Sequence, residues 1–254
     1  VAMNTGLAPT NELVVRQAIN QAVDKDTIIA KVLHGLEPRA DALFSSNMPY
    51  ANIGLKALPY DPEQARQNLD EAGWKLPTGK TIREKNGQPL STELVFLGTS
   101  ALQKSLAEII QGELAKVGID VRLRAEEEGS LVQRQREGRF GMIFADTWGA
   151  PYDPHSFVSS MRYAGHADYM AQRGLAMKDE IDHSISEVLG ETDENKRAEG
   201  YRNILTTLQE QAVYLPISYL TAISVSGKKV DNVQFGSTLF DVPFEVMRPA
   251  TGKP

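Results

Sequence analysis

Apolar residues recur at helical spacing over Leu13, Val14, Ala18, Ile19 and Val23. The turn Ala8-Pro9-Thr10-Asn11 precedes them, so the pattern predicts a helix with Thr10 or Asn11 as its cap. Asp24-Lys25-Asp26 interrupts the period, residues 27–33 resume it, and Gly35 ends it. Residues 36–60 carry Pro38, Pro49, Gly54 and Pro59 and predict a long irregular surface loop. Asp61-Pro62 then opens a helix, with Asp as cap and Pro at the first position, that runs to Ala72-Gly73. The Asn86-Gly87 pair in the polar stretch 75–90 predicts a hairpin.

The middle of the chain alternates periods. Residues 93–97 predict a strand, 100–117 a helix ended by Gly118, and 119–123 a second strand. Residues 128–137 predict a polar helix ended by Gly138, and 140–145 a third strand. Strand, helix, strand, helix, strand is a βαβαβ unit, which implies an α/β fold with a mostly parallel sheet and right-handed crossovers. Beyond it, residues 155–161, 178–189 and 194–212 predict helices, residues 214–220 and 222–226 predict strands, and Gly227 a turn. Residues 230–246 are weakly patterned.

Composition narrows the function classes. The chain has 254 residues, 41% of them hydrophobic and 24% charged, enough apolar surface for a sizeable core in one large domain or two small ones. The net charge is −6 and no long basic run occurs, so nucleic acid is not an expected partner. Without cysteine there is no disulfide, thiolate metal site or cysteine nucleophile. No apolar run approaches the roughly 20 residues of a membrane helix, and no signal peptide is read. The chain opens on Val1-Ala2-Met3 and is expected to belong to something longer. Glu126-Glu127-Glu128 reads as a solvated first helical turn rather than a catalytic cluster. Neither a G-x-S-x-G elbow nor a glycine-rich phosphate loop is present, so no enzymatic activity is expected.

Candidate chemistry concentrates after the third strand. Asp146-Thr147-Trp148-Gly149-Ala150-Pro151-Tyr152-Asp153-Pro154-His155 places two aromatics and an imidazole on a loop at a strand's carboxyl end, where α/β folds bind ligands. The four histidines form no HxxxH or HExxH pattern. His34 beside a helix-stop glycine and His183 among Asp179, Glu180 and Asp182 read as structural or solvated, and His155 as a helix-start residue packing locally. His166, in Tyr163-Ala164-Gly165-His166-Ala167-Asp168, is read as lying in a loop with no helical face to serve. The residues alone leave it open between ligand and bystander, and leave Trp148 and Tyr152 open between cleft wall and core.

Three runs carry a resemblance. Val15-Arg16-Gln17-Ala18-Ile19 through Asp24-Lys25 is the first, and Tyr60-Asp61-Pro62 through Ala72-Gly73-Trp74 the second. Leu208-Gln209-Glu210-Gln211-Ala212-Val213-Tyr214-Leu215-Pro216 is the third. In this order they resemble the large solute-binding proteins of peptide and nickel ABC importers, family 5. The runs Arg83–Leu90, Arg134–Phe144, Thr147–His155 and Ser159–Arg162 resemble its nickel-binding branch. The family is about twice this length, so the resemblance is to a carboxyl-terminal half.

This resemblance implies a lobe of the type II periplasmic-binding-protein fold (cluster C), with a mixed, mostly parallel sheet flanked by helices and without the amino-terminal lobe. Residues 1–219 would form the second lobe, and residues 220–254 a return segment completing the first. It implies a periplasmic location, an inner-membrane ABC permease as transient partner, and Ni(II) as cargo, held as a small chelate with free histidine or a similar metallophore. No resident cofactor is expected. His166 would be the metal ligand, with Trp148 and Tyr152 lining the cleft. Val132 stands where the nickel-binding relative has a tyrosine, and Pro151 where peptide binders have an aspartate that pairs with the ligand's ammonium. The unpaired edges of 222–254 are expected to drive self-association. Two other readings stay open: a di- or oligopeptide or opine-type binder without metal, and a chain with no ligand binding of its own.

Overall fold

The computed structural model describes residues 1–148, 154–236 and 241–250. Strand β1 (Ala2–Met3) is followed by helices α1 (Leu13–Ala22), α2 (Lys25–Lys31) and α3 (Pro62–Glu71). A hairpin of β2 (Glu84–Lys85) and β3 (Gln88–Pro89) leads to β4 (Ser91–Leu97), α4 (Ala101–Ala115), β5 (Asp120–Glu126), α5 (Glu128–Glu137) and β6 (Met142–Ile143). Helices α6 (His155–Ser160), α7 (Ala167–Gln172), α8 (Lys178–Gly190) and α9 (Glu194–Glu210) follow, then a small pair, β7 (Val230–Asp231) and β8 (Arg248–Pro249). No helix among the described residues is long and apolar enough to cross a membrane.

The sheet runs β1-β6-β4-β5. β4 pairs in parallel with both β5 and β6, and β1 closes the other edge antiparallel to β6. The expected βαβαβ unit is therefore present within a mixed sheet flanked by helices. Alternation along the strands divides two cores. Leu94, Phe96, Met142 and Met3 face one side, with Val15, Ile19, Leu69, Ile110 and Leu114 from α1, α3 and α4. Val95, Ile143 and Ala2 face the other, with Phe157, Met170, Ile185, Tyr201 and Leu208 from α6–α9.

Local chemistry explains most element ends. Asp61 accepts from the Gln64 amide (2.9 Å) ahead of Pro62, and Asp24 caps α2 through the Thr27 amide (3.0 Å). Asn86 and Gly87 both have positive φ, as a tight two-residue hairpin turn requires, and Gly138 ends α5 in the left-handed conformation.

Several expectations need correction. The cap of α1 is Glu12, whose carboxylate makes no capping bond and accepts instead from Lys85 Nζ (2.8 Å), while the Thr10 hydroxyl donates to the Asn4 carbonyl (2.7 Å). Glu126 belongs to β5 rather than to a solvated turn, and pairs with Arg134 of α5 at 2.6 Å. β6 spans only Met142–Ile143, the stretch that finds partners on both sides. Residues 214–220 do not form a strand, because their partners change along the segment. Near Tyr214 the chain bridges Ala2, and near Ser218 it bridges Arg39. The Ala40 amide donates to Ile217 O (3.1 Å) and the Tyr219 amide to Pro38 O (2.9 Å), so part of the predicted loop 36–60 is a strap on residues 217–219. Residues 222–226 are not a strand either, since no neighbouring strand is available to them among the described residues. Ile223 and Val225 are 57% and 95% exposed.

Candidate functional site

β4 and β6 run in the same direction, so the segment that follows Ile143 leaves at the carboxyl end of the parallel strands. Trp148 stands there, half exposed. After α6, the turn at Tyr163–Gly165 brings the chain back, with Gly165 at φ 106°. His166 ends the glycine-containing loop and stands at the cap position of α7, which begins at Ala167. Its backbone is extended and its side chain makes no capping bond, so the exposed imidazole faces outward.

The structure brings His166 and Trp148 together. Their ring centroids are 6.5 Å apart and the planes differ by 31°. Phe157 of α6 meets the indole edge-on, at 6.1 Å and 79°. Tyr152 and Pro151 lie outside the described residues. The stem of Arg136 on α5 passes beside Gly165, 3.6 Å from the position a Cβ there would take. Among the described residues Arg136 has no ion-pair partner, and its guanidinium is exposed. Val132 sits one turn earlier on the same helix face.

A buried polar row lies beneath. Asp168, in the first turn of α7, accepts from the Tyr214 hydroxyl (2.9 Å), which in turn accepts from Gln172 Nε2 (3.2 Å). Burial pushes the Asp168 carboxyl above its usual range, against the pull of the Tyr214 hydrogen bond. Burial, then Asp168, pushes the Tyr214 hydroxyl well above its own. The row ties α7 to the chain beyond α9 and so sets where His166 stands. Among the described residues no group of three His, Cys, Asp or Glu side chains converges as a metal site. His166 thus offers one exposed imidazole with no converging side-chain ligands among the described residues.

A model of the bacterial extracellular solute-binding proteins, family 5, matches residues 1–169. The chain belongs to this family. It is 55% identical, over 98% of its residues, to the nickel-binding periplasmic protein of Escherichia coli, and covers 48% of that protein. Its fold superposes with a TM-score of 0.95 on NikA from Brucella suis in complex with Fe(III)-EDTA, at 56% identity, covering 98% of this chain and 50% of that one. NikZ from Campylobacter jejuni in complex with Ni(L-His) aligns with a TM-score of 0.72 at 25% identity, over 86% of this chain and 44% of that one. The chain spans about half the length of the relatives it matches.

The other histidines lie elsewhere in the fold. His34 is exposed just past α2, and His183 Nε2 pairs with Glu187 on α8 (3.2 Å). His155 opens α6, its Nδ1 3.4 Å from Arg197. Arg136 carries no signal of its own in the sequence, since it is one of the unmatched positions inside the Arg134–Phe144 run. The Asp168–Tyr214–Gln172 row had no local signal, because its members are up to 46 residues apart.

Proposed function

We propose that this chain forms one wall of the ligand cleft of a periplasmic solute-binding protein, and that the cargo is nickel held as a small organic chelate such as a histidine complex. His166 donates a ring nitrogen to the metal, a ligand type suited to Ni(II). Trp148 offers a flat face to the chelate, and Tyr152, outside the described residues, is assigned to the ligand by its place in the Thr147–His155 run. Arg136 attracts the chelate's carboxylates. The observation that carries this reading is the exposed imidazole of His166 set against Trp148 with no further metal-ligating cluster among the described residues. The nickel-binding name of the E. coli relative and the metal chelates in the two related structures support it.

Residues 1–219 then act as the carboxyl-terminal lobe and residues 220–254 as the segment returning to a first lobe. Closure of two lobes over the chelate presents a surface to an ABC permease. The last backbone pairing of the main body at Tyr219 supports that division.

Calorimetric titration of the whole binding protein carrying this chain, with nickel alone and with nickel plus free histidine, tests the reading. Binding is expected only when the chelator is present. His166→Ala abolishes it, Arg136→Gln weakens it roughly tenfold, a loss of about 1.4 kcal/mol, and His34→Ala and His183→Ala leave it unchanged. The 254-residue chain alone binds weakly, since it supplies half the cleft. Unaltered binding by the His166 variant removes the central residue. A thermal shift with short peptides points instead to a peptide binder.

A further inference from the structure

Trp148 is an exposed indole outside any helix or strand, yet its plane lies within 31° of that of His166. Something must hold that plane. Phe157, only 1% exposed, meets the indole nearly perpendicularly, and its other neighbour is Phe44 at 5.6 Å and 87°. Edge-to-face contacts of this kind fix relative ring orientation through the quadrupole as well as through contact area. Four rings, His166, Trp148, Phe157 and Phe44, therefore stand in one row.

The far end of the row is anchored as well. Phe44 belongs to the strap that pairs with residues 217–219. The Tyr219 hydroxyl lies within hydrogen-bond distance of the carbonyls of Phe44 (3.0 Å) and Ala42 (3.1 Å) and accepts from the Ala42 amide (3.3 Å). Ser218 Oγ donates to Glu37 (2.6 Å). Beyond Tyr219, residues 220–226 make no backbone hydrogen bond to the body among the described residues. Tyr219 is thus the last fixed point of the chain before it leaves.

We infer that Phe157 is the positioning residue of the candidate site, setting the plane of Trp148 against His166, and that Tyr219, through Phe44, sets the place of Phe157. The chain's exit segment and the ligand-facing indole are mechanically one unit. In the chelate-binding reading, on which the ligand part of this inference rests, the exit segment is the crossing to the other lobe. A shift there on closure then reorients the face that meets the cargo.

The test uses the 254-residue chain carrying Trp74→Phe, which leaves Trp148 as the single tryptophan. Phe157→Leu is expected to lower the fluorescence anisotropy of Trp148 and shift its emission to the red. Tyr219→Phe, which removes one hydroxyl and its bonds, is expected to do the same to a smaller extent. Leu114→Ala, in the core on the opposite face of the sheet, is expected to leave both signals unchanged despite its cost in stability. Anisotropy and emission at the parent values in folded Phe157→Leu and Tyr219→Phe overturn the relay. So does an equal change in Leu114→Ala, which would mean general loosening. If Phe157→Leu does not fold, Tyr219→Phe decides alone. A second arm titrates the whole binding protein with nickel plus L-histidine, where Phe157→Leu is expected to weaken binding about tenfold. Absence of binding by the parent in that arm counts against the nickel reading and leaves the ring relay to be judged on anisotropy.

Discussion

Arg16 of α1 donates from Nε to the Gln211 carbonyl at the carboxyl end of α9, a 2.9 Å bond spanning 195 positions of sequence. Nη1 donates to the carbonyls of Thr10 and Asn11, at 2.9 and 3.1 Å. The guanidinium is buried, bonded to carbonyl oxygens, and burial lowers its pKa to about 10. It ties the turn before α1 to the cap residue of α9, donating to the Gln211 carbonyl while the Thr207, Leu208 and Gln209 carbonyls accept backbone amides. Arg16→Met is expected to cost about 3 kcal/mol in urea unfolding, because buried acceptors lose their donor. Arg16→Lys should recover only part, since an ammonium cannot reproduce the planar fork. A variant within experimental error of the parent would show that water replaces the guanidinium there.

Two glycines predict opposite outcomes. A Cβ on Gly174 would overlap the Thr5 carbonyl and Gly6 amide, backbone groups that cannot swing aside. Gly174→Ala should therefore destabilise by about 3 kcal/mol. Gly112 sits exposed within α4 with open space around its Cα. Gly112→Ala should stabilise by about 0.5–1 kcal/mol through lower unfolded-state entropy. Thermal unfolding of both variants beside the parent tests the pair; midpoints moving in the same direction contradict it.

Lys25 gives a pH dependence. Its buried Nζ donates to the Ala40 carbonyl (2.8 Å), with Asp41 3.9 Å away. Burial lowers the ammonium pKa from 10.5 to about 8, with Asp41 opposing. Between these values the unfolded chain holds a proton that the native chain has released. Stability therefore rises with pH across that window, and below it both states carry the charge. Lys25→Met removes this contribution. The stability of the variant relative to the parent should fall from about pH 7 to about pH 10 in parallel urea titrations. A difference that stays constant with pH means that Lys25 keeps its ordinary pKa.

The exposed apolar stretch Leu220, Ile223 and Val225 has no cover among the described residues. Such surface drives association in water. The chain is expected to self-associate with rising concentration, and Ile223→Glu combined with Val225→Glu to shift it toward monomer. Sedimentation velocity over a concentration series checks this. A parent that remains monomeric throughout removes self-association through residues 222–254.

What the sequence determined by itself was local. Asp61-Pro62, Asn86-Gly87 and Gly138 dictate their caps, turn and stop because the physics acts within a few residues. The alternation of periods over residues 93–145 dictated a parallel α/β unit, since buried strands and one-sided helices have few ways to cover each other. The aromatic loop and His166 could be marked as candidates, but the residues alone left each open between ligand contact and a structural place. Tertiary structure decided the rest, because those features depend on partners far along the chain. α7 forms over only six residues, too short to announce itself by period, and is held by Asp168 bonding to Tyr214. Residues 214–220 have the composition of a strand, but strand formation requires a neighbour along the whole length, and theirs changes from β1 to the strap. The tilted approach of Trp148 to His166 and the arrival of Arg136 beside Gly165 follow from how α5, α6 and α7 pack at one end of the sheet. No periodicity encodes that geometry, because it arises from long-range burial rather than from neighbouring residues.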